Sequence, residues 1–286
     1  MANLKDIRKR ILSVKSTQQI TSAMKMVAAA KLKKAQDRIE RARPYADKMM
    51  EVLASVSLRT SPDAHPLLKR RTPEKVMLVI FTSDKGLCGA FNQNIIKATE
   101  LFVKENRKRY SEIQFTIIGK KGYDYFKKRD IQIHKDYVGI SGRVDFDLAG
   151  NISVDMKDGF LSEVVDEIYL MYNRFVSAIS QEIVFDRLLP IVPLKVPDGE
   201  MALEHIFEPS ESEILDDILV KNIAIQVFRS LLESEASELG ARMTAMDSAT
   251  SNAEEMIEKL TMQYNRARQE TITRELIEIV GGAEAL

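Results

Sequence analysis

The sequence predicts a mixed α+β and α/β fold, in which the N- and C-terminal segments form a long antiparallel coiled coil and an open α/β domain is inserted between them. Three observations carry this reading. Both ends repeat apolar residues at alternating spacings of three and four, the middle switches to short strand and helix periods, and the two ends carry opposite charge.

In the first segment Leu4, Ile7, Ile11 and Val14 begin the repeat, and Ala28, Leu32, Ala35, Ile39, Ala42, Ala46, Met49, Leu53 and Val56 continue it. Between them the same register falls on Gln18, Thr21 and Lys25, whereas the apolar residues are Ile20, Met24 and Val27. The expected consequence is a stripe that moves around the helix near Met24. Pro44 lacks an N–H, but the repeat keeps phase across it, so a bend is expected there and not an end. The first helix is assigned to residues 1–58 and a linker holding Pro62, Pro66 and Pro73 to 59–74.

The middle domain, 75–190, reads as β from Val76 to Thr82, α from Asn92 to Lys108, β from Phe115 to Ile118, α from Gly122 to Lys128 and β from Ile131 to Val138. A helix over Asp145 to Ser162 then returns the chain to strands at Glu167 to Tyr172 and Glu182 to Phe185. The order implies a mainly parallel, Rossmann-like open sheet with flanking helices. A second linker, 191–210, holds Pro193 and Pro197.

The last segment, 211–286, repeats Ala236, Leu239, Met243, Met246, Thr250, Ala253, Ile257, Leu260, Tyr264 and Ala267. Pro209 and Ser210 before Glu211 and Glu213 suit a helix start, and Gly281-Gly282 suits a stop. Helices of about 55 and 70 residues would be roughly 80 and 105 Å long at 1.5 Å per residue. Aligning Val56 with Glu211 in an antiparallel pair sets residue i opposite about 267 − i, with Met24 near Met243. Residues beyond Arg266 then overhang, yet still carry Ile272, Leu276, Ile279 and Val280, a face too apolar to leave in water.

Charge supports pairing within the chain. The whole sequence balances 42 basic against 42 acidic residues, but residues 1–43 carry twelve Lys/Arg against three acidic groups and residues 204–286 carry seven against seventeen. A basic helix alone would suggest nucleic acid or an anionic membrane surface; here a neutralising partner lies in the same chain. Cys88 is the only cysteine, which excludes an intramolecular disulfide. No apolar run approaches the roughly 20 residues that span a bilayer, and no signal-peptide core is expected at the start.

Catalytic chemistry is not apparent. Ser83-Asp84-Lys85-Gly86-Leu87-Cys88-Gly89 follows the first strand, where an α/β fold binds phosphate, but its glycines lack the spacing that exposes consecutive N–H groups. A tight turn is the better reading, and Gly119-Lys120-Lys121-Gly122 fails the same test. Cys88 reads as a small buried thiol. His65, His134 and His205 match no metal spacing. No catalytic residue, cofactor or metal is therefore proposed, and function is expected from surfaces and mechanics.

Several longer motifs stand out: Ile7-Arg8, Ser16-Thr17-Gln18-Gln19-Ile20-Thr21-Ser22-Ala23-Met24-Lys25-Met26-Val27-Ala28-Ala29, Arg43-Pro44-Tyr45, Thr82 to Gly89, and Tyr264-Asn265-Arg266-Ala267-Arg268-Gln269 through Ile272-Thr273 and Glu275-Leu276. In these the chain resembles one family, the gamma subunit of bacterial F-type ATP synthases. The resemblance implies a central rotor stalk, itself not an enzyme, whose coiled coil sits in a hexamer of alpha and beta subunits. Its base contacts the epsilon subunit and the membrane ring of c subunits, so ion transport and ATP synthesis are coupled by rotation. It implies rotor-to-beta contacts at Met24 and around Arg242, and contacts with the hexamer at Arg268, Gln269, Thr273 and Glu275. His205, Phe207 and Glu208 are the expected base contacts. The implied location is the cytoplasmic face of the plasma membrane, with peripheral attachment through the c-ring and no nucleic acid partner. A lone Cys88 lacks the cysteine pair of chloroplast members.

Overall fold

The computed structural model describes residues 4–59, 65–129, 131–192 and 211–284. The elements are α1 (Leu4–Arg59), β1 (Lys75–Phe81), α2 (Phe91–Asn106), β2 (Glu112–Ile118), α3 (Lys120–Phe126), β3 (Gln132–Tyr137), α4 (Phe146–Leu161), β4 (Glu167–Phe175), β5 (Gln181–Leu189) and α5 (Glu211–Glu284). The predicted coiled-coil helices with an inserted mainly parallel sheet are the observed fold. The chain divides into two compact units, residues 30–241 and the combined segments 1–29 and 242–286.

In the larger unit the five strands lie in the order β3-β2-β1-β4-β5. β1 pairs in parallel with β2 and β4, β2 with β3, and only β5 runs antiparallel, against β4. The apolar run of β1 is buried on both faces, as a central parallel strand requires. Because strand side chains alternate, Val76, Leu78 and Ile80 join Ile95, Ile96, Phe115, Ile117 and Phe126 on the α2/α3 face. Met77 points the other way and ends beside Gly159 of α4. Asp145 starts α4 by accepting the N–H of Leu148 at 2.8 Å, an ordinary N-cap.

Helical segments of this unit pack on the sheet domain through named contacts. Arg38 of α1 donates to the carbonyl of Val144 at 3.0 Å and pairs with Glu235 of α5. Burial pushes the Glu235 carboxyl above its usual range despite Arg38, so the pair orients the helices more than it stabilises them. The rings of Phe146 and Phe228 meet edge to face. On α1, Leu32, Ala35, Ile39, Ala46 and Leu53 are buried at the predicted spacing, and the helix continues through Pro44.

The smaller unit is an antiparallel pair of helical segments, and it corrects two expectations. Burial does not drift near Met24. It stays in phase through Ile7, Ile11, Val14, Gln18, Thr21, Lys25 and Ala28, while Ile20 and Val27 are 57% and 56% exposed. Two of the polar residues hold the seam through partners across it: Thr250 donates to Thr21 at 2.8 Å, and Lys25 meets Asp247 at 2.5 Å. These same pairs shift the alignment by four to five residues, so Met24 does not face Met243. The earlier anchor at Val56 ended the first helix too soon, since α1 runs to Arg59.

A third correction concerns the end of α5, which passes through Gly281-Gly282 to Glu284. Glycine lowers helix stability by about 0.5–1 kcal/mol relative to alanine without forbidding the conformation. No helix among the described residues is long and apolar enough to cross a membrane.

Candidate functional site

The loop after β1 stands where an α/β sheet binds phosphate. Its geometry shows why it does not resemble a phosphate cradle. The carboxylate of Asp84 accepts the N–H groups of Lys120 and Gly139, each at 2.9 Å, and of Ser141 at 2.8 Å. The chain's own anion thus fills the start of α3 and ties it to the loop that follows β3. Burial raises the Asp84 pKa, but the three backbone donors outweigh it and hold the carboxyl below its usual range.

Around this knot the turn reading holds. The Ser83 N–H donates to the side-chain oxygen of Asn92 at 2.9 Å, and its hydroxyl donates to the Lys85 carbonyl at 2.7 Å. Cys88 is buried, as expected, with the Asn92 amide 3.2 Å from its sulfur. Gly119 adopts φ +96°, and a Cβ there would fall 2.0 Å from the Thr82 carbonyl oxygen, so only glycine fits. His65 bonds to Asp216 at 2.9 Å, and His134 lies on β3. Among the described residues no group of His, Cys, Asp and Glu is arranged to hold a metal.

Surfaces of the helix pair are the remaining candidates. In the smaller unit the seam of α5 is buried or half-buried at Met243, Met246, Thr250, Ala253, Ile257, Leu260, Tyr264 and Ala267, as the repeat predicts. Every position from Arg268 to Val280 is exposed. That stretch includes Ile272, Leu276, Ile277, Ile279 and Val280, whose exposures run from 45% to 69%. Arg268, Gln269, Thr273 and Glu275 lie on this exposed stretch of helix, whereas Met24 and Arg242 are half-buried elsewhere in the unit. Leu12, Ile20, Met26 and Val27 add exposed apolar positions on α1. A groove of about 630 Å³ separates Asp6, Ile7 and Arg10 from Leu260 and Arg274. His205, Phe207 and Glu208 lie outside the described residues.

Comparison with known proteins decides between a generic helical hairpin and a specific machine part. The family model described as ATP synthase matches residues 3–286. The ATP synthase gamma chain of Geobacter metallireducens is 51% identical over 286 residues, covering 100% of this chain and 99% of that one. The chain belongs to the ATP synthase gamma-chain family. The gamma chain of an Anaeromyxobacter species is 50% identical over 290 residues, with both chains fully covered.

Solved structures agree with the gamma-chain fold. A chain from the central stalk and c-ring of the Tetrahymena thermophila mitochondrial ATP synthase matches with a TM-score of 0.62 and 28% identity, covering 80% of this chain and 99% of its own. One from the Euglena gracilis mitochondrial enzyme, in an assembly of OSCP, F1 and c-ring, reaches a TM-score of 0.72 at 22% identity over 99% of this chain and 94% of its own. As a gamma chain, this protein is a subunit of the ATP synthase and its central rotor stalk.

Sequence reasoning missed one set of buried polar and small residues. Glu233, Ser237 and Gly240 lie at i, i+4 and i+7 on α5, beside the apolar repeat, and were readable only as helix filler. Polar or small residues recurring on one helical face next to an apolar stripe were the available signal.

Proposed function

We propose that this gamma chain is a non-catalytic rotor that couples the turning of a ring of c subunits to sequential conformational change at the catalytic sites of the beta subunits. The observation that carries the reading is the exposed apolar stretch from Arg268 to Val280 at the end of a helix that is otherwise paired. An apolar helix face of this length is unfavourable in water and requires an enclosing surface. A sleeve of alternating alpha and beta subunits supplies it.

The helix pair is asymmetric in length, charge and exposed residues, so it meets three beta subunits differently. Each orientation then shifts the populations of open and closed sites unequally, and rotation becomes ordered release of nucleotide. Arg268, Gln269, Thr273 and Glu275 contact the hexamer near the end of α5, and Met24 and Arg242 contact beta lower down. The epsilon subunit and c-ring engage the base, with His205, Phe207 and Glu208 at that contact. The complex sits on the cytoplasmic face of the membrane, and this chain is attached peripherally through the ring, whose coupling ion is H⁺ or Na⁺.

Arg268 and Gln269 make charge-assisted and amide hydrogen bonds to beta loops, the stronger contributing about 1.5–3 kcal/mol. The Arg268→Ala/Gln269→Ala variant is expected to lower ATP synthesis and hydrolysis by the assembled enzyme. Unchanged rates of both would remove these contacts. Native mass spectrometry of the tagged chain isolated from its host is expected to recover alpha and beta subunits. A lone monomer or homodimer would contradict the assignment.

A further inference from the structure

α5 meets the α/β domain differently from α1. On α1 the side chain of Arg38, 40% exposed, reaches the Val144 carbonyl through a long flexible arm. On α5 three residues of one face touch the backbone of the β4–β5 hairpin. The Glu233 carboxylate accepts the N–H of Phe175 at 2.9 Å. The Ser237 hydroxyl donates to the Asn173 carbonyl at 2.8 Å, and Ser237 is fully buried. At Gly240 the position of a Cβ would lie 3.2 Å from Ala178 Cα and 3.3 Å from its carbonyl oxygen.

The spacing matches on both partners. Positions 233, 237 and 240 lie along one side of the helix, and 173, 175 and 178 follow the end of β4 into the turn. Glu233 is 5% exposed, so its charge has left water for this contact. Gly240 lets the helix backbone approach the turn, and the Glu233 and Ser237 side chains that bond to the hairpin backbone are buried, so this contact has less rotamer freedom than the exposed Arg38 arm.

We infer that the β4–β5 hairpin is the joint that passes mechanical load between the α/β domain and α5, with Glu233, Ser237 and Gly240 as its positioning residues. The inference rests on the rotor reading and adds to it a direction of transfer. α5 receives the load through two buried side chains bonded to the hairpin backbone and the close approach at Gly240, and the segment of α1 in the same unit follows through Arg38 and its pairing with Glu235 of α5.

The test uses assembled ATP synthase reconstituted in lipid vesicles, with Glu233→Ala, Gly240→Val, Ser237→Ala and Glu233→Gln in this chain. Glu233→Ala removes the acceptor, and Gly240→Val forces the backbones apart. Glu233→Gln keeps a carbonyl for the Phe175 N–H. Losing one such bond raises amide exchange at Phe175 about tenfold, read by hydrogen exchange. Ions pumped per ATP hydrolysed fall several-fold in Glu233→Ala and Gly240→Val, while hydrolysis by the complex persists and Glu233→Gln recovers most of the ratio. If either of those two fails to assemble, Ser237→Ala, which deletes one hydroxyl, carries the same expectation. A wild-type pumping ratio in the assembled variants would overturn the joint and leave the rotor reading standing. A complex assembled without this chain that still pumps would remove both.

Discussion

Asp84 exchanges water for three backbone N–H groups, one at the start of α3 and two in the loop after β3, and that exchange sets its titration. Its folded pKa is lowered, so the unfolded chain binds its proton more readily. The contribution to stability is therefore fully present above the unfolded value of 3.8 and is lost as pH falls through the lower folded value. Asp84→Asn, which keeps one acceptor oxygen, is expected to destabilise the chain by about 1–3 kcal/mol at neutral pH. The gap between wild type and variant should narrow as pH drops below 4, measured by urea unfolding. A gap independent of pH would contradict the assignment. The turn itself was legible from its glycines, but the partners of Asp84 were not, because Gly139 and Ser141 are distant in sequence and only the parallel sheet brings them to it.

At the scale of elements, the heptad spacing predicted which residues of both long helices are buried, because a coiled-coil seam is a local property of one strand of sequence. Where polar residues occupy the seam, spacing alone misled. Thr21 and Lys25 are acceptable there only because Thr250 and Asp247 face them, a pairing fixed by the partner helix. The Lys25–Asp247 pair is about half exposed and contributes little. Thr21 also donates to the Gln18 carbonyl at 3.1 Å, so removing Thr250 leaves its hydroxyl satisfied. Thr250→Val is thus expected to cost about 0.5–1.5 kcal/mol. The double variant Thr21→Val/Thr250→Val should be less destabilised than the two single effects combined, since both polar groups leave the seam together. Strict additivity in denaturant unfolding of the full chain would show that the hydroxyls do not interact. The extent of β4 and β5 was also under-read. Residues such as Arg174 and Arg187 break the apolar run that marked each strand, yet both remain in the antiparallel ladder.

For the whole molecule, neutral net charge conceals a basic N-terminal end and an acidic C-terminal end, a distribution that favours pairing within the chain over nucleic acid. The apolar overhang was legible because the second repeat outlasts the first, and the structure leaves every residue from Arg268 to Val280 exposed. What the sequence could not supply from physics alone is the identity of the sleeve, since an apolar face specifies a nonpolar environment and no particular subunit. The joint at Glu233, Ser237 and Gly240 was hidden for a related reason: each residue is ordinary in a helix, and its role arises only from the hairpin docked on it.

The central claim is that this chain turns while the catalytic subunits stay still. It is tested by replacing Cys88 with Ala, placing a biotin on a Lys108→Cys variant in exposed sequence after α2, and following a bead attached there on surface-fixed alpha–beta–gamma complexes. Rotation in one direction that starts with ATP and stops when it is withdrawn is the expected result. A bead that stays fixed while the same complexes hydrolyse ATP would contradict the account.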